Sequence, residues 1–399
     1  MIKQTISNDI FYVGASDRRI KLFENIYPLD RGVSYNSYLI AGDKTALLDS
    51  VDDAVGKVFL QKVKDALGDR DLDYFIVNHM EPDHCACIED VMNTFPSVTL
   101  VTNNKAAMMI QEYFGYDWAE RRIIVKDNDT LSIGNHELKF VFAPMVHWPE
   151  VMMTLDTTTG ILFSADAFGT FGALSGNIFA DQAYKGDEWQ EESRRYYTNI
   201  VGKYGVQVKN ALAKLTGEDI KMLAPLHGPI WRKDIDKILD KYAKWSTYQY
   251  EDKAVVLIYG SIYGHTAEAV DMLAAQLDNL GASNLKVYDA SNVDVSYLVA
   301  ESFRCSHIII ASATYNGAIF TPIERYLAEI ISHNLQNRTI GIVENGTWSA
   351  TSGTLITKEL EKMKNITLLG NKVSVKAALG ENNLDSIKAL AEEICESLK

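Results

Sequence analysis

From Ala254 to Lys399 the chain repeats one rhythm, an apolar run of strand length followed by a segment of helical spacing, and that rhythm leaves few folds open. The runs are AVVLIYG, LKVYDA, HIIIASA, TIGIVENG and KVSVKAA, with helices expected near 267–280, 322–332 and 355–363 and from Leu384 onward. Strands separated by helices cannot be joined by tight hairpins; they lie parallel, with helices on both faces of one sheet. The expectation for this half is a doubly wound α/β sheet, whose ligands bind at the carboxyl ends of the strands.

The first 231 residues read differently. Short strands and turns dominate in VSYNSYLIAG, TALLDSVD, YFIVNH, SVTLVTNN, ELKFVFAPMVH and GILFSADAF, with a helix expected over Ala86 to Asn93. This half closes on an amphipathic helix over 233–248, in which Ile235, Ile238, Leu239, Tyr242 and Trp245 recur at helical spacing. The polar run Gln249 to Lys253 separates the two rhythms. A chain of 399 residues exceeds one average core, so two domains are expected, 1–250 and 251–399.

The formal net charge is −14, and the basic pairs Arg121-Arg122 and Arg194-Arg195 stand beside acidic residues, which argues against a nucleic-acid partner. No apolar run approaches the roughly 20 residues that span a bilayer, and the N-terminal MIKQTISNDIFYVG lacks the apolar core of a secretion signal. A cytoplasmic protein without membrane association is expected. Cys85, Cys87, Cys305 and Cys395 form neither a disulfide framework nor paired CxxC motifs, so no zinc ribbon or rubredoxin module is built in.

The strongest chemical signal is His79-Met80-Glu81-Pro82-Asp83-His84, four candidate ligands within six residues, directly after the apolar strand YFIV. His147, Asp166 and His227 each follow another apolar run, FVFAPMV, ILFSA and MLAPL. Side chains at one edge of a sheet converge although they are distant in sequence. Four imidazoles and three carboxylates exceed what one tetrahedral zinc uses and suit two metals bridged by a carboxylate. The absence of thiolate and the presence of carboxylate favour iron with open positions, and zinc stays open on ligand type alone. His136, His265, His307 and His333 lie outside this pattern and read as surface or core residues.

The second half opens with AVVLIY and the loop Gly260-Ser261-Ile262-Tyr263-Gly264-His265-Thr266 ahead of a helix. Hydroxyls and helix-start N–H groups there can surround a phosphate. The loop has no lysine or arginine and matches neither G-x-x-x-x-G-K-[ST] nor G-x-G-x-x-G. A monophosphate is what fits, which points to FMN. Ala313-Thr314-Tyr315-Asn316-Gly317 and Asn345-Gly346-Thr347-Trp348-Ser349 follow the next strands at the same edge and offer backbone groups and aromatic surface to a flavin ring.

The pattern His-x-Glu-x-Asp-His, then His147, Asp166 and His227 after gaps of 62, 18 and 60 residues, resembles the di-iron signature of flavodiiron proteins. The first half is similar to the metallo-β-lactamase fold, an αββα sandwich, and the second to flavodoxin, with expected strand order 2-1-3-4-5. In hydrolases of the first fold the third hexapeptide position is usually His, and this chain has Glu81. The resemblance covers essentially the whole chain and implies a specific site. His79, Glu81 and His147 would hold the iron nearer the flavin, Asp83, His84 and His227 the distal iron, and Asp166 both, with His84 the least secure because water replaces it in some relatives. It also implies an oxidoreductase passing electrons from FMN to the di-iron site, where four electrons reduce O2 to two waters or two electrons couple two NO to N2O and water. The implied donor is a separate rubredoxin or reduced coenzyme F420. A head-to-tail homodimer, or a tetramer built from it, would bring the flavin of one subunit to the metals of the other. Tyr197, Phe23 and Trp148 are candidate pocket residues. Cys85 and Cys87 read as small residues at a helix start. The alternative is a dizinc hydrolase of the β-lactamase fold carrying an accessory flavodoxin domain.

Overall fold

The computed structural model describes residues 3–399 and divides into two compact units, residues 3–197 with 206–243 and residues 198–205 with 244–399. In the first unit a seven-stranded sheet runs in sequence order through β1 (Gln4–Ser7), β2 (Ile10–Tyr12), β3 (Tyr38–Ala41), β4 (Thr45–Leu48), β5 (Tyr74–Ile76), β6 (Thr99–Thr102) and β7 (Arg122–Ile124). A second sheet follows with β8 (Thr130–Ser132), β9 (Glu137–Phe142), β10 (Met152–Asp156), β11 (Ile161–Phe163) and β12 (Met222–Ala224). Their inner faces share one core in which Tyr38, Ile40, Leu48, Ile76, Phe140, Met152 and Phe163 are fully or almost fully buried. At about 1.5–3 kcal/mol for each large apolar side chain removed from water, this face holds the sandwich closed.

Pairing in the second sheet fixes the directions that matter. β9 is antiparallel to β10, β10 to β11, and β11 is parallel to β12. Hence β9, β11 and β12 all point the same way, and the segments leaving their carboxyl ends, which carry His147, Asp166 and His227, emerge at one edge. The expected helix over Ala86 to Asn93 is two pieces, Pro82–Cys85 and Ile88–Thr94, broken at Ala86 and Cys87. The first piece is a single turn with Pro82 at its start, where a missing N–H costs nothing, and this turn displays Asp83 and His84. The helix expected over 233–248 runs Ile235–Ser246 and buries Ile238, Tyr242 and Trp245.

The second unit is built on five parallel strands, β13 (Asp252–Gly260), β14 (Lys286–Asp289), β15 (Cys305–Tyr315), β16 (Arg338–Asn345) and β17 (Ile366–Val375), ordered β14-β13-β15-β16-β17. That is the expected 2-1-3-4-5. Of the helices that connect the strands, α1 (His265–Asn279), α3 (Thr321–Ser332) and α4 (Ser352–Leu360) match the expected segments, and α5 (Glu381–Ser397) closes the unit. Helix α2 (Val295–Arg304) was not expected. It is ten residues long and almost wholly buried, with the polar Ser296, Glu301, Ser302 and Arg304 among its buried residues. Among the described residues no helix is long and apolar enough to cross a membrane.

Candidate functional site

The hexapeptide is aimed by a buried carboxylate behind it. Asp49 accepts from Asn78 N at 2.7 Å, His79 N at 3.1 Å and Asn78 Nδ2 at 2.8 Å, and it sits in the left-handed region at φ 54°. Ala165, directly before Asp166, is also left-handed at φ 50°. Strained backbone of this kind persists where surrounding structure dictates it, and it gathers at functional sites.

All seven candidate ligands converge in the first unit. One set comprises His79, Glu81, His147 and Asp166 and the other Asp83, His84 and His227, each with its ligand atoms within 4.8 Å of one another. Asp166 joins them. Its Oδ2 is 3.3 Å from His79 Nε2 and 3.1 Å from His147 Nε2, while its Oδ1 is 3.2 Å from His84 Nε2 and 3.7 Å from His227 Nε2. Glu81 Oε2 completes the first set at 2.9 Å from His147 Nε2 and 3.3 Å from His79 Nε2.

The outer contacts decide which ring nitrogen faces inward. His79 Nδ1 donates to Glu150 Oε1 at 2.8 Å, and His227 Nδ1 donates to Ser34 O at 2.8 Å. Once neutral, each ring directs its Nε2 lone pair into the site, the arrangement that metal-binding imidazoles adopt. Gly228, at φ 74°, allows the chain to turn directly after His227, because a Cβ there would come within 2.2 Å of Thr170 Oγ1. His84 differs: its Nδ1 is buried with no partner among the described residues. Glu150, Asp49 and Ser34 were not legible as site residues, since nothing in their spacing marks a contact made through space.

Two observations test whether cations fit. His84 Nε2 and His227 Nε2 face each other at 3.0 Å, and both oxygens of Asp83 and one of Asp166 are buried without hydrogen bonds among the described residues. Buried polar atoms left so are costly, and one cation between each set satisfies them. Protonation responds to the same crowding. Burial pulls His147 down, but the carboxylates of Asp166 and Glu81 reverse this and push it up to about 9. Burial raises Asp166, and the imidazoles of His79 and His84 drive it well below the usual carboxylate range. Metal binding to such a set must displace protons from the imidazoles.

Aromatic rings wall the site. Phe23 stands edge-on to His227 with centroids 5.2 Å apart, and Trp148 edge-on to His79 at 5.7 Å. The tyrosine beside the candidate ligands is Tyr196, 5.5 Å from the His227 ring, whereas Tyr197 packs on Tyr242 at 4.9 Å. The helix Trp189–Tyr196 passes into a π-helical turn over Tyr197–Val201, a feature frequent at functional sites. Glu24 lies in the tight turn after Phe23 at φ 48°. Burial, then the charge of the neighbouring Glu81, pushes its carboxyl up to about 8.

In the second unit a cavity of about 550 Å3 opens at the carboxyl edge of the sheet. Every expected loop residue except Gly260 and Gly264 lines it, from Ser261 to Thr266, Ala313 to Gly317 and Asn345 to Ser349, and Ala377 is an addition. Gly264 caps the start of α1 at φ 96° and has no side chain to occupy the first-turn N–H groups. Its own N–H donates to Ser261 Oγ at 3.1 Å. An anion is favoured at such a helix start, and the exposed rings of Tyr263, Tyr315 and Trp348 border the rest of the cavity.

A sandwich that presents a binuclear set of imidazoles and carboxylates, carried in one chain with a flavodoxin-like sheet, defines a two-part redox protein of the β-lactamase fold. Residues 33–228 match the ODP family beta lactamase model. The anaerobic nitric oxide reductase flavorubredoxin of Salmonella paratyphi A is 29% identical over 86% of this chain and 72% of its own. An uncharacterised protein of Methanocaldococcus jannaschii is 32% identical over 81% of this chain and 80% of its own. The rubredoxin oxygen:oxidoreductase of Desulfovibrio gigas superposes with a TM-score of 0.92 at 25% identity, covering 100% of this chain and 98% of that one. The chain belongs to the flavodiiron protein family.

Proposed function

We propose that this chain is an oxidoreductase that passes electrons through FMN to a non-haem di-iron centre, where O2 is reduced to water or NO to N2O. The observation that carries this reading is Asp166, with one carboxylate oxygen turned to each ligand set. In it His79, Glu81 and His147 would hold one iron, Asp83, His84 and His227 the other, and Asp166 both. The cavity of the second unit would hold FMN, and the N–H groups at the start of α1 would receive its phosphate. Function divides at about residue 250, with 1–250 for the metals and 251–399 for the flavin.

When bound, FMN releases electrons singly, and ferrous ions supply open positions for a diatomic gas. The chain's own residues prepare the site. Glu150 and Ser34 keep the lone pairs of His79 and His227 directed inward. Phe23, Trp148 and Tyr196 exclude water around them. Tyr196 Oη keeps its proton, because burial and the charges of Asp166, Glu81 and Asp83 hold it well above the usual phenol range. Its hydroxyl is buried with no acceptor among the described residues and so is free to donate into the pocket.

The relatives' names divide between the two gases, and both name rubredoxin. They support a rubredoxin-type donor; a separate rubredoxin, reduced F420 as a second source and a cytoplasmic location are part of this proposal. A head-to-tail homodimer delivering electrons between subunits completes the reading. The test is metal and flavin analysis, followed by anaerobic stopped-flow of the reduced protein against O2 and NO separately. Two irons and one FMN per chain with rapid reoxidation by either gas is the expected result. Two zincs, thioester hydrolysis and no gas consumption would sink it.

A further inference from the structure

Glu344, the penultimate residue of β16, is 3% exposed and does not line the flavin cavity. Its carboxylate is nonetheless fully engaged. Oε2 accepts from Gly353 N at 2.9 Å, while Oε1 accepts from the Ser374 hydroxyl at 2.7 Å and Lys372 Nζ at 2.6 Å. Between Glu344 and Gly353 runs the loop that brings Asn345 to Ser349 to the cavity. One residue therefore holds both ends of that loop: its backbone leads in, and its side chain grips the way out.

The exit is gripped from the other side as well. Thr314 Oγ1 accepts from Thr351 N at 3.1 Å and Ser352 N at 3.2 Å, and the Ser352 hydroxyl donates to Ser312 O at 2.9 Å. The N–H groups at the start of α4 are thus used by side chains, in contrast to the uncapped start of α1. Space is equally tight, since a Cβ on Gly353 would come within 2.5 Å of Glu344 Oε2. The loop's tip has little packing of its own, Trp348 being 91% exposed, so its order comes from its ends.

We infer that Glu344 is a positioning residue that holds the Asn345–Ser349 loop in its flavin-receiving shape before the flavin arrives. This rests on the FMN reading of the cavity. A buried carboxylate is costly unless its bonds are satisfied, and here they are spent on the loop exit and the neighbouring strand. Without them the ordering of the loop falls on the binding step and weakens it.

The test titrates apoprotein with FMN and with riboflavin, following flavin fluorescence well below the unfolding transition. Glu344→Gln keeps the size but sets an NH2 against one of the donors. Its FMN Kd is expected to rise about tenfold to a hundredfold, as for loss of a hydrogen bond to a charged group, and Ser374→Ala is expected to raise it a few-fold. Riboflavin binding weakens by the same factor, because the phosphate loop is untouched, and amide exchange at 351–353 quickens. A folded Glu344→Gln protein with both Kd values unchanged overturns the inference, as does a loss confined to FMN. If Glu344→Gln does not fold, an unchanged Kd in Ser374→Ala overturns it. A wild-type protein that binds neither flavin overturns the cofactor reading itself, which separates the two failures.

Discussion

Glu150 Oε1 accepts from His79 Nδ1 at 2.8 Å and also from Met80 N at 2.9 Å, so this carboxylate fixes both the tautomer and the backbone of the first ligand. Both side chains are shielded from solvent. Removing such an outer partner typically costs 10–100-fold in metal affinity. Glu150→Ala is therefore expected to lose iron to a chelator at roughly 10–100-fold lower concentration than the wild type, and Glu150→Gln at an intermediate one. Iron retention equal to the wild type in Glu150→Ala would reduce Glu150 to a core residue.

The cysteines beside the site are structural. Cys85 and Cys87 are 1% and 0% exposed, Cys85 Sγ donates to Met80 O at 3.2 Å, and burial pushes the Cys87 thiol up to about 12. Reactivity needs an accessible thiolate. Mild alkylation of the native protein is expected to modify Cys395, the partly exposed thiol, and to spare Cys85, Cys87 and Cys305, with all four modified after denaturation. Modification of Cys87 at the rate of Cys395 would restore a redox role to the pair.

What the sequence could announce was whatever repeats or lies close together. The alternation after Ala254 yields a parallel doubly wound sheet, whose order came from the resemblance to flavodoxin, and the hexapeptide is visible because four ligands fall on one turn and the strand end before it. His147, Asp166 and His227 were legible because each follows an apolar run, although the strand before His147 ends at Phe142 and a turn carries the ligand inward. Tyr196 was missed in favour of Tyr197 because neighbours on a helix point about 100° apart, and which of the two faces His227 depends on packing. Glu150, Asp49 and Glu344 act on atoms brought near only by the fold, so no local spacing signals them.

The first unit carries an ion-paired histidine away from the metals. His136 Nδ1 is 2.8 Å from Asp156 Oδ2 and its Nε2 3.0 Å from Asp9 Oδ2, and it is 3% exposed. The hydrogen bond to Asp156 raises it first, burial opposes, and Asp9 adds to the rise, to about 9 from an ordinary 6.5. A folded-state pKa above the unfolded one means that the contribution is complete below pH 6.5 and disappears as pH rises through about 9. The wild type is expected to lose on the order of 2 kcal/mol between pH 6 and 10 from this group, a value discounted for the partial exposure of Asp9. His136→Gln should flatten that part of the profile in urea unfolding. An equal slope in both proteins would remove the histidine from the account.

The two halves of the metal set are supported unequally, and that asymmetry is measurable. His79 has Glu150 behind its Nδ1, and His227 has Ser34 O, but His84 Nδ1 has no partner among the described residues. A ring without an outer hydrogen bond is less fixed in tautomer and orientation and is a weaker base. His84→Ala is expected to keep much of its iron, with the second metal exchanging faster, because water can take the vacated position. His79→Ala should bind iron at least tenfold more weakly than His84→Ala, since it also removes the imidazole partner of buried Glu150 and leaves it only Met80 N. Asp166→Ala removes the oxygen facing each set and should leave neither metal held at stoichiometric loading, with gas consumption abolished. Iron counts and chelator competition on the three variants check the order Asp166, His79, His84. Equal losses in His79→Ala and His84→Ala would show that the outer hydrogen bond contributes nothing to holding the metal.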